Sequence, residues 1–378
     1  MDASDQGDTS HDAVVLYADP PQGFGHSHER MTRAAIARQL AALQGYDFAG
    51  DYDPAFRPGR ALYFVPSCTV LGLEAAEALG IHSEGDLFGG IVPHPFVATK
   101  AITHPLVRPG SRAPAGWSNA FGEEVREAVL AGFTAFSAKD ARQAGLTLLA
   151  QGPVRIKPVR ATGGRSQVVV RDADSLDRML RGMDPTELAE HGLVLEEDLA
   201  EVTTFSVGQV RVADLVASYY GTQRLTPDNA GAMVYGGSDL IVVKGDFDAL
   251  AVQDLPEELR LAISQTRTYD TAATRHFPGL LASRRNYDIA RGRNPRGEWR
   301  SGVLEQSWRI GGASSAEIAA LQAFQADRGL IMVRAASVEV YGRAATPPPD
   351  AMVYFQGEDE RDGLMTKYAL VESYGDPR

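Results

Sequence analysis

The apolar positions of this chain change period several times, and the changes divide it. "AVVLYADP", from position 13, is a continuous apolar run that reads as a buried strand. A glycine loop, "PQGFGHSHE", precedes a helical pattern from about position 30 to 43. "ALYFVPS" reads as a second strand and "LGLEAAEALG" as a short helix, so positions 13–100 read as a parallel αβ layer. "RPGSRAPAGWSN" then marks a connector. "EEVREAVLAGF" and "SAKDARQAGLTLLAQG" read as two helices, the second capped by Ser137 and stopped by Gly152. "VRIKPVRATGGRSQVVV" reads as two strands around a glycine turn. "DADSLDRMLRGM" reads as a helix with Asp174 and Asp177 at capping-box spacing, and "GLVLEEDL" as a strand ending in acids. Three further strands follow, then a helix at about 256–276, a hairpin, an amphipathic helix in "SAEIAALQAFQADRG", the loop "ATPPPDAM" and a terminal strand.

Composition narrows the class. At 378 residues the chain has room for two or three domains, and its formal charge of -12 is spread along it, which argues against a nucleic-acid binder. Cys68 is the single cysteine, so neither an internal disulfide nor a cysteine-based metal site is available, and a small buried thiol is expected. The first twelve residues are acidic and polar and read as a disordered tail without signal-peptide features, so a cytoplasmic location is expected. No apolar run approaches the roughly 20 residues of a membrane span.

Candidate chemistry sits first at Lys157, inside a strand, where its charge requires an anion or a carboxylate. Thr162, Gly163 and Gly164 follow and can turn the backbone over a polyphosphate that Lys157 reaches from the sheet; the alternative is an ordinary hairpin with a solvated lysine. The stretch lacks Gly-Lys-Ser/Thr, and its glycines lie between strands, which excludes both a Walker loop and a dinucleotide fingerprint. The acid-rich strand end at Glu196, Glu197 and Asp198 suits ribose hydroxyls, or is a solvated edge.

The second constellation is a hairpin. With Arg296 and Gly297 as a two-residue loop, Pro295 faces Glu298, and Asp288 falls opposite Glu305. Two facing carboxylates repel unless a cation lies between them, and oxygen ligands alone favour Mg²⁺ or Mn²⁺. Ser307 and Arg309 share the Glu305 face by alternation, with Leu304 and Trp308 on the other. A one-residue slip would destroy the pairing.

Taken in this order, "IKPVRATGGRSQ", "VLEEDL", Asp288 and "EQSWRIGG" resemble the ATP-grasp superfamily over roughly residues 90–342, near biotin carboxylase and the carboxylate–amine ligases. The resemblance implies an α/β (α+β) fold in which two α+β subdomains clasp ATP, preceded by a Rossmann-like parallel αβ domain. The expected boundaries are a tail at 1–12, the N-terminal domain and connector at 13–118, a lid subdomain at 119–199 and a C-terminal subdomain at 200–378. It also implies ATP bound by Lys100, Lys157, Thr162, Gly163, Gly164, Glu196, Glu197 and Leu199. Mg²⁺ or Mn²⁺ would be held by Asp288, Glu305 and Ser307, with Arg309 and Lys157 acting on the phosphates. The implied activity is an ADP-forming ligase that joins a small-molecule carboxylate to an amine-type acceptor, with a homodimer left open. Ser307 departs from the family's usual asparagine, so an ATP-binding protein with weak or no turnover is the rival reading, and kinase-like transfer a third. His26 and His28 lie in a loop at the carboxyl edge of the parallel layer, where they are expected to meet the acceptor rather than a metal.

Overall fold

The computed structural model describes residues 11–18, 27–55, 61–160, 167–342 and 346–374. The chain opens with β1 (His11–Tyr17), α1 (His28–Gln44), β2 (Asp47–Asp51) and β3 (Ala61–Pro66), which form a parallel sheet in the order β2-β1-β3. The apolar run Ala13–Leu16 is buried, as a central parallel strand requires. Ser27 caps α1, and Gly45, at φ 72°, ends it. Next come β4 (Val70–Leu71), α2 (Leu73–Leu79) and β5 (Gly90–Val92), then two 3-10 turns, Pro95–Ala98 and Lys100–Thr103.

A four-stranded antiparallel sheet follows. It is built from α3 (Asn119–Glu124), β6 (Gly132–Ala135), α4 (Ala138–Leu149), β7 (Val154–Pro158), β8 (Val168–Val170), α5 (Ala173–Arg181), α6 (Pro185–His191) and β9 (Leu193–Glu197), with strand order β6-β9-β7-β8. Its core gathers Ala141, Ala144 and Leu148 of α4 with Leu176 and Leu180 of α5 and Ile156 and Leu195 of the sheet. Ser137 caps α4 as expected.

The remainder is β10 (Ala200–Val212), β11 (Leu215–Pro227), β12 (Met233–Lys244), α7 (Phe247–Ala251), α8 (Glu257–His276), β13 (Leu281–Ala282), β14 (Arg284–Arg293), β15 (Trp299–Ser307), α9 (Ser314–Ala326), β16 (Met332–Tyr341), β17 (Met352–Asp359) and β18 (Gly363–Ser373). Eight of these strands form one sheet, ordered β15-β14-β10-β11-β12-β16-β18-β17. One face, through Val210, Tyr219, Leu240 and Val242, shares a core with α9 and with α1 of the N-terminal layer. The other, through Val207, Tyr287, Ile289 and Val303, is covered by α8. Among the described residues, no helix is long and apolar enough to cross a membrane.

Several expectations are corrected. "EEVREAVLAGF" is not one helix: α3 ends at Glu124, and a short 3-10 turn leads to Val129 and Leu130, which are buried, Val129 bridging to Val303. The capping box of α5 uses Asp172 and Ser175 instead of Asp174 and Asp177, because Asp172 has the extended backbone a cap needs. The final helix, α9, is buried nearly all round, since it lies between α1 and the large sheet. Cys68 is exposed on the bend after β3. Two strands, β17 and β18, follow the loop where one was expected.

Candidate functional site

The hairpin of β14 and β15 places Asp288 opposite Glu305, as expected, but by a different route. The turn has three residues, Pro295 to Gly297, closed by Asn294 and Glu298. That shifts the register by one along the outer half of the hairpin, where Arg293 faces Trp299 and Ile289 faces Val303. A bulge at Leu304 then restores the shift, so Asp288 meets Glu305, Tyr287 meets Gln306 and Asn286 meets Ser307. Gly302, just before the bulge, lies where a Cβ would be 2.4 Å from the backbone of Val129 and Leu130. The missing side chain is what lets β15 lie against the loop that precedes the small sheet.

Asp288 accepts hydrogen bonds at Oδ1 from Ser206 Oγ and Gln223 Nε2, both at 3.0 Å. Burial, and then the charge of Glu305, push its pKa up to about 6 against those two donors. Glu305 is itself held by Lys100, whose Nζ lies 3.0 Å from Oε2. Lys100 is 8% exposed and belongs to the 3-10 turn after "VAT". Gln306, on the opposite side of β15, donates to the carbonyls of Val97 and Thr99 at 2.8 Å and so ties that segment to the hairpin. Two acids and a lysine thus converge at one edge of the large sheet.

Ser307 has another partner. Its Oγ and its carbonyl accept from Arg284 Nη1 at 3.3 Å, and the same nitrogen donates to the Arg309 carbonyl at 2.7 Å. A hydroxyl facing a guanidinium is a poor cation ligand, which weakens the expected metal role of Ser307. Arg284 and Glu317 form a bidentate ion pair buried to about 1% and 0% exposure, and Tyr219 donates to Glu317 Oε1 at 2.5 Å. Arg309 is exposed beyond this pair, and the carbonyl of the preceding Trp308 accepts from Thr69 Oγ1, next to Cys68, at 3.3 Å. Neither Arg284 nor Glu317 stood out in the sequence; the usable signal was an acid inside the otherwise apolar helix "SAEIAAL".

The small sheet carries the other constellation. Lys157 is buried in β7, and its partner is a carboxylate: Nζ is ion-paired with Glu196 Oε1. The other oxygen of Glu196 takes His104 Nε2 at 3.1 Å. Although burial raises the pKa of Glu196, Lys157 and His104 outweigh it and hold it at about 2. Glu197 Oε1 accepts from the Ala131 amide at 3.0 Å and Arg300 Nε at 3.2 Å, Asp198 takes Arg155 at 2.6 Å, and Leu199 is buried with Leu130 and Ala290. Glu196 thus has both oxygens engaged, by Lys157 and His104, whereas Glu197 is bonded at Oε1 and remains partly exposed. Thr162, Gly163, Gly164 and His26 lie outside the described residues.

His28 starts α1 and docks it on the β17–β18 turn, its amide on Asp359 Oδ2 at 2.7 Å and its ring on Asp362 Oδ2 at 2.9 Å. Ligand-type atoms of the three lie within 4.8 Å of one another, but Asp359 also accepts the amides of Arg361 and Asp362, a structural turn that explains the cluster.

The family model described as "Protein of unknown function (DUF3182)" matches residues 16–369. No curated protein matches. Among solved structures, N5-carboxyaminoimidazole synthetase from Staphylococcus aureus, complexed with ADP, is 9% identical with TM-score 0.55, over 96% of this chain and 93% of that one. Biotin carboxylase from Campylobacter jejuni gives 10%, TM-score 0.49, and 96% and 87% coverage; phosphoribosylamine–glycine ligase from Thermotoga maritima gives 13%, 0.48, and 96% and 92%. The chain belongs to the DUF3182 family, and its fold is that of the ATP-grasp superfamily.

Proposed function

We propose that this chain is an ATP-dependent, ADP-forming ligase that activates a small-molecule carboxylate as an acyl phosphate for attack by an amine-type nucleophile. The observation that carries the reading is the Asp288–Glu305 pair, with Lys100 on Glu305 and Asp288 pushed up to about 6. Mg²⁺ or Mn²⁺ fits this oxygen-only donor pair and would supply charge neutralisation at the phosphates. Lys157, Lys100 and Arg309 would neutralise the remaining phosphate charge, and positioning by these side chains is the bulk of what such a reaction needs. In this reading, residues 13–118 form the N-terminal domain and connector, 119–199 the lid subdomain and 200–378 the C-terminal subdomain. Thr162, Gly163 and Gly164 would cover the phosphates. The strand end 196–199 would border adenine, with Glu196 anchoring Lys157 instead of ribose. A small carboxylate and an amine are the substrates expected.

A second reading, ATP binding without turnover, is favoured by one feature, the engagement of Ser307 by Arg284. ADP release separates the two. The parent protein is incubated with Mg²⁺-ATP and pools of small carboxylates and amines. ADP that appears only when both pools are present supports the ligase; saturable ATP binding with no ADP from any pool supports the second reading. A phosphate ester as product would mean kinase-like transfer.

A further inference from the structure

His104 is fully buried, reaches the small sheet from outside it, and has no place in the chemistry above. It follows directly on the 3-10 turn Lys100–Thr103, whose first residue holds Glu305. That turn is pinned to α8 and to the small sheet. Thr103 Oγ1 lies 3.3 Å from Tyr269 Oη, Thr134 Oγ1 donates to the Ala101 carbonyl at 2.7 Å, and the Thr134 amide donates to Pro105 at 2.9 Å. The ring packs against Gly132, where a Cβ would sit 2.7 Å from Nδ1 and Cε1. Nδ1 finds no partner among the described residues, so the ring serves Glu196 through Nε2–H alone.

Resting on the ligase reading, we propose that His104 is a positioning residue for nucleotide binding, acting on Lys157 through Glu196. A lysine side chain has four torsions, and Glu196 removes their freedom only if it is itself fixed. Oε1 holds Lys157, and Oε2 is fixed by His104, so the carboxylate cannot rotate away. The segment 100–104 thereby sets both lysines of the site, one directly on Glu305 and one through Glu196.

The test is a double-mutant cycle read by calorimetric titration of Mg²⁺-ATP into the full chain. His104→Leu is expected to weaken ATP binding about tenfold. His104→Gln, whose amide donates as Nε2 does, should stay within about threefold of the parent. In a Lys157→Met background, His104→Leu should add less than about twofold. If His104→Leu does not fold, His104→Asn, whose amide is too short to reach Oε2, replaces it with the same expectations. Parent-like affinity in the folded leucine or asparagine variant overturns the proposal, as does an equal loss with and without Lys157; both leave the ligase reading standing. A parent that binds no ATP removes the ligase reading and this proposal together.

Discussion

Asp288 and Glu305 face each other across a hairpin, yet substitution of the two should have opposite effects. The unfolded pKa of an aspartate lies near 3.9, and the folded value of Asp288 is raised to about 6. The folded protein therefore binds more protons between about pH 4 and 6, and its contribution to stability is present below that window and lost as pH rises through it. Asp288→Asn keeps an oxygen for Ser206 and Gln223 and removes the charge. It should stabilise the ligand-free protein by about 1–2 kcal/mol at pH 8 and change little at pH 4, as read by denaturant unfolding. Glu305→Gln instead takes from Lys100 the carboxylate at 3.0 Å, so it should cost about 1 kcal/mol, modest because Glu305 is 39% exposed. The sequence suggested a symmetrical repulsion; Lys100, distant along the chain, breaks the symmetry. For Lys157 the sequence implied that a buried strand lysine needs an anion. That the anion is Glu196, wedged by His104, depends on three segments meeting, which no local pattern records.

At the level of elements, the hairpin teaches most. Its key pairing was legible from turn residues and alternation, but only because a longer turn and a bulge offset each other. Next to the bulge, Gly302 meets the backbone of Val129 and Leu130, which lie far away in sequence. Gly302→Val would force a Cβ into that backbone and should lower stability by at least about 2 kcal/mol in the same unfolding assay. Beneath the hairpin, the Arg284–Glu317 pair holds the carbonyls of Ser307 and Arg309. Glu317→Gln leaves a buried guanidinium without its carboxylate and should cost about 3–5 kcal/mol, seen as a lower midpoint in thermal or denaturant unfolding. The helix that carries Glu317 was legible as a helix; its burial was not, because α1, which covers it, comes from the other end of the chain.

Across the whole molecule, the candidate site draws on the N-terminal layer, the small sheet and the large sheet at once. The order of the motifs along the chain was enough to suggest that architecture, whereas the way the parts lock together depends on long-range contacts such as Gln306 to Val97 and Thr99. The exposed Cys68, the single cysteine, lies beside Thr69, which bonds the residue before Arg309, and gives this assembly a reporter there. Its rate of labelling by a thiol reagent should fall severalfold when Mg²⁺-ATP is bound, and an unchanged rate at saturation would move the nucleotide away from Arg309. The central claim is that the facing carboxylates serve a metal–nucleotide complex, and calorimetric titration of ATP with and without Mg²⁺, into the parent and Asp288→Asn, tests it most directly. The account predicts saturable binding by the parent that weakens at least tenfold without Mg²⁺, and a folded Asp288→Asn protein in which that Mg²⁺ dependence is lost. Binding that is absent from the parent, or equally strong without Mg²⁺ and in the variant, would contradict it.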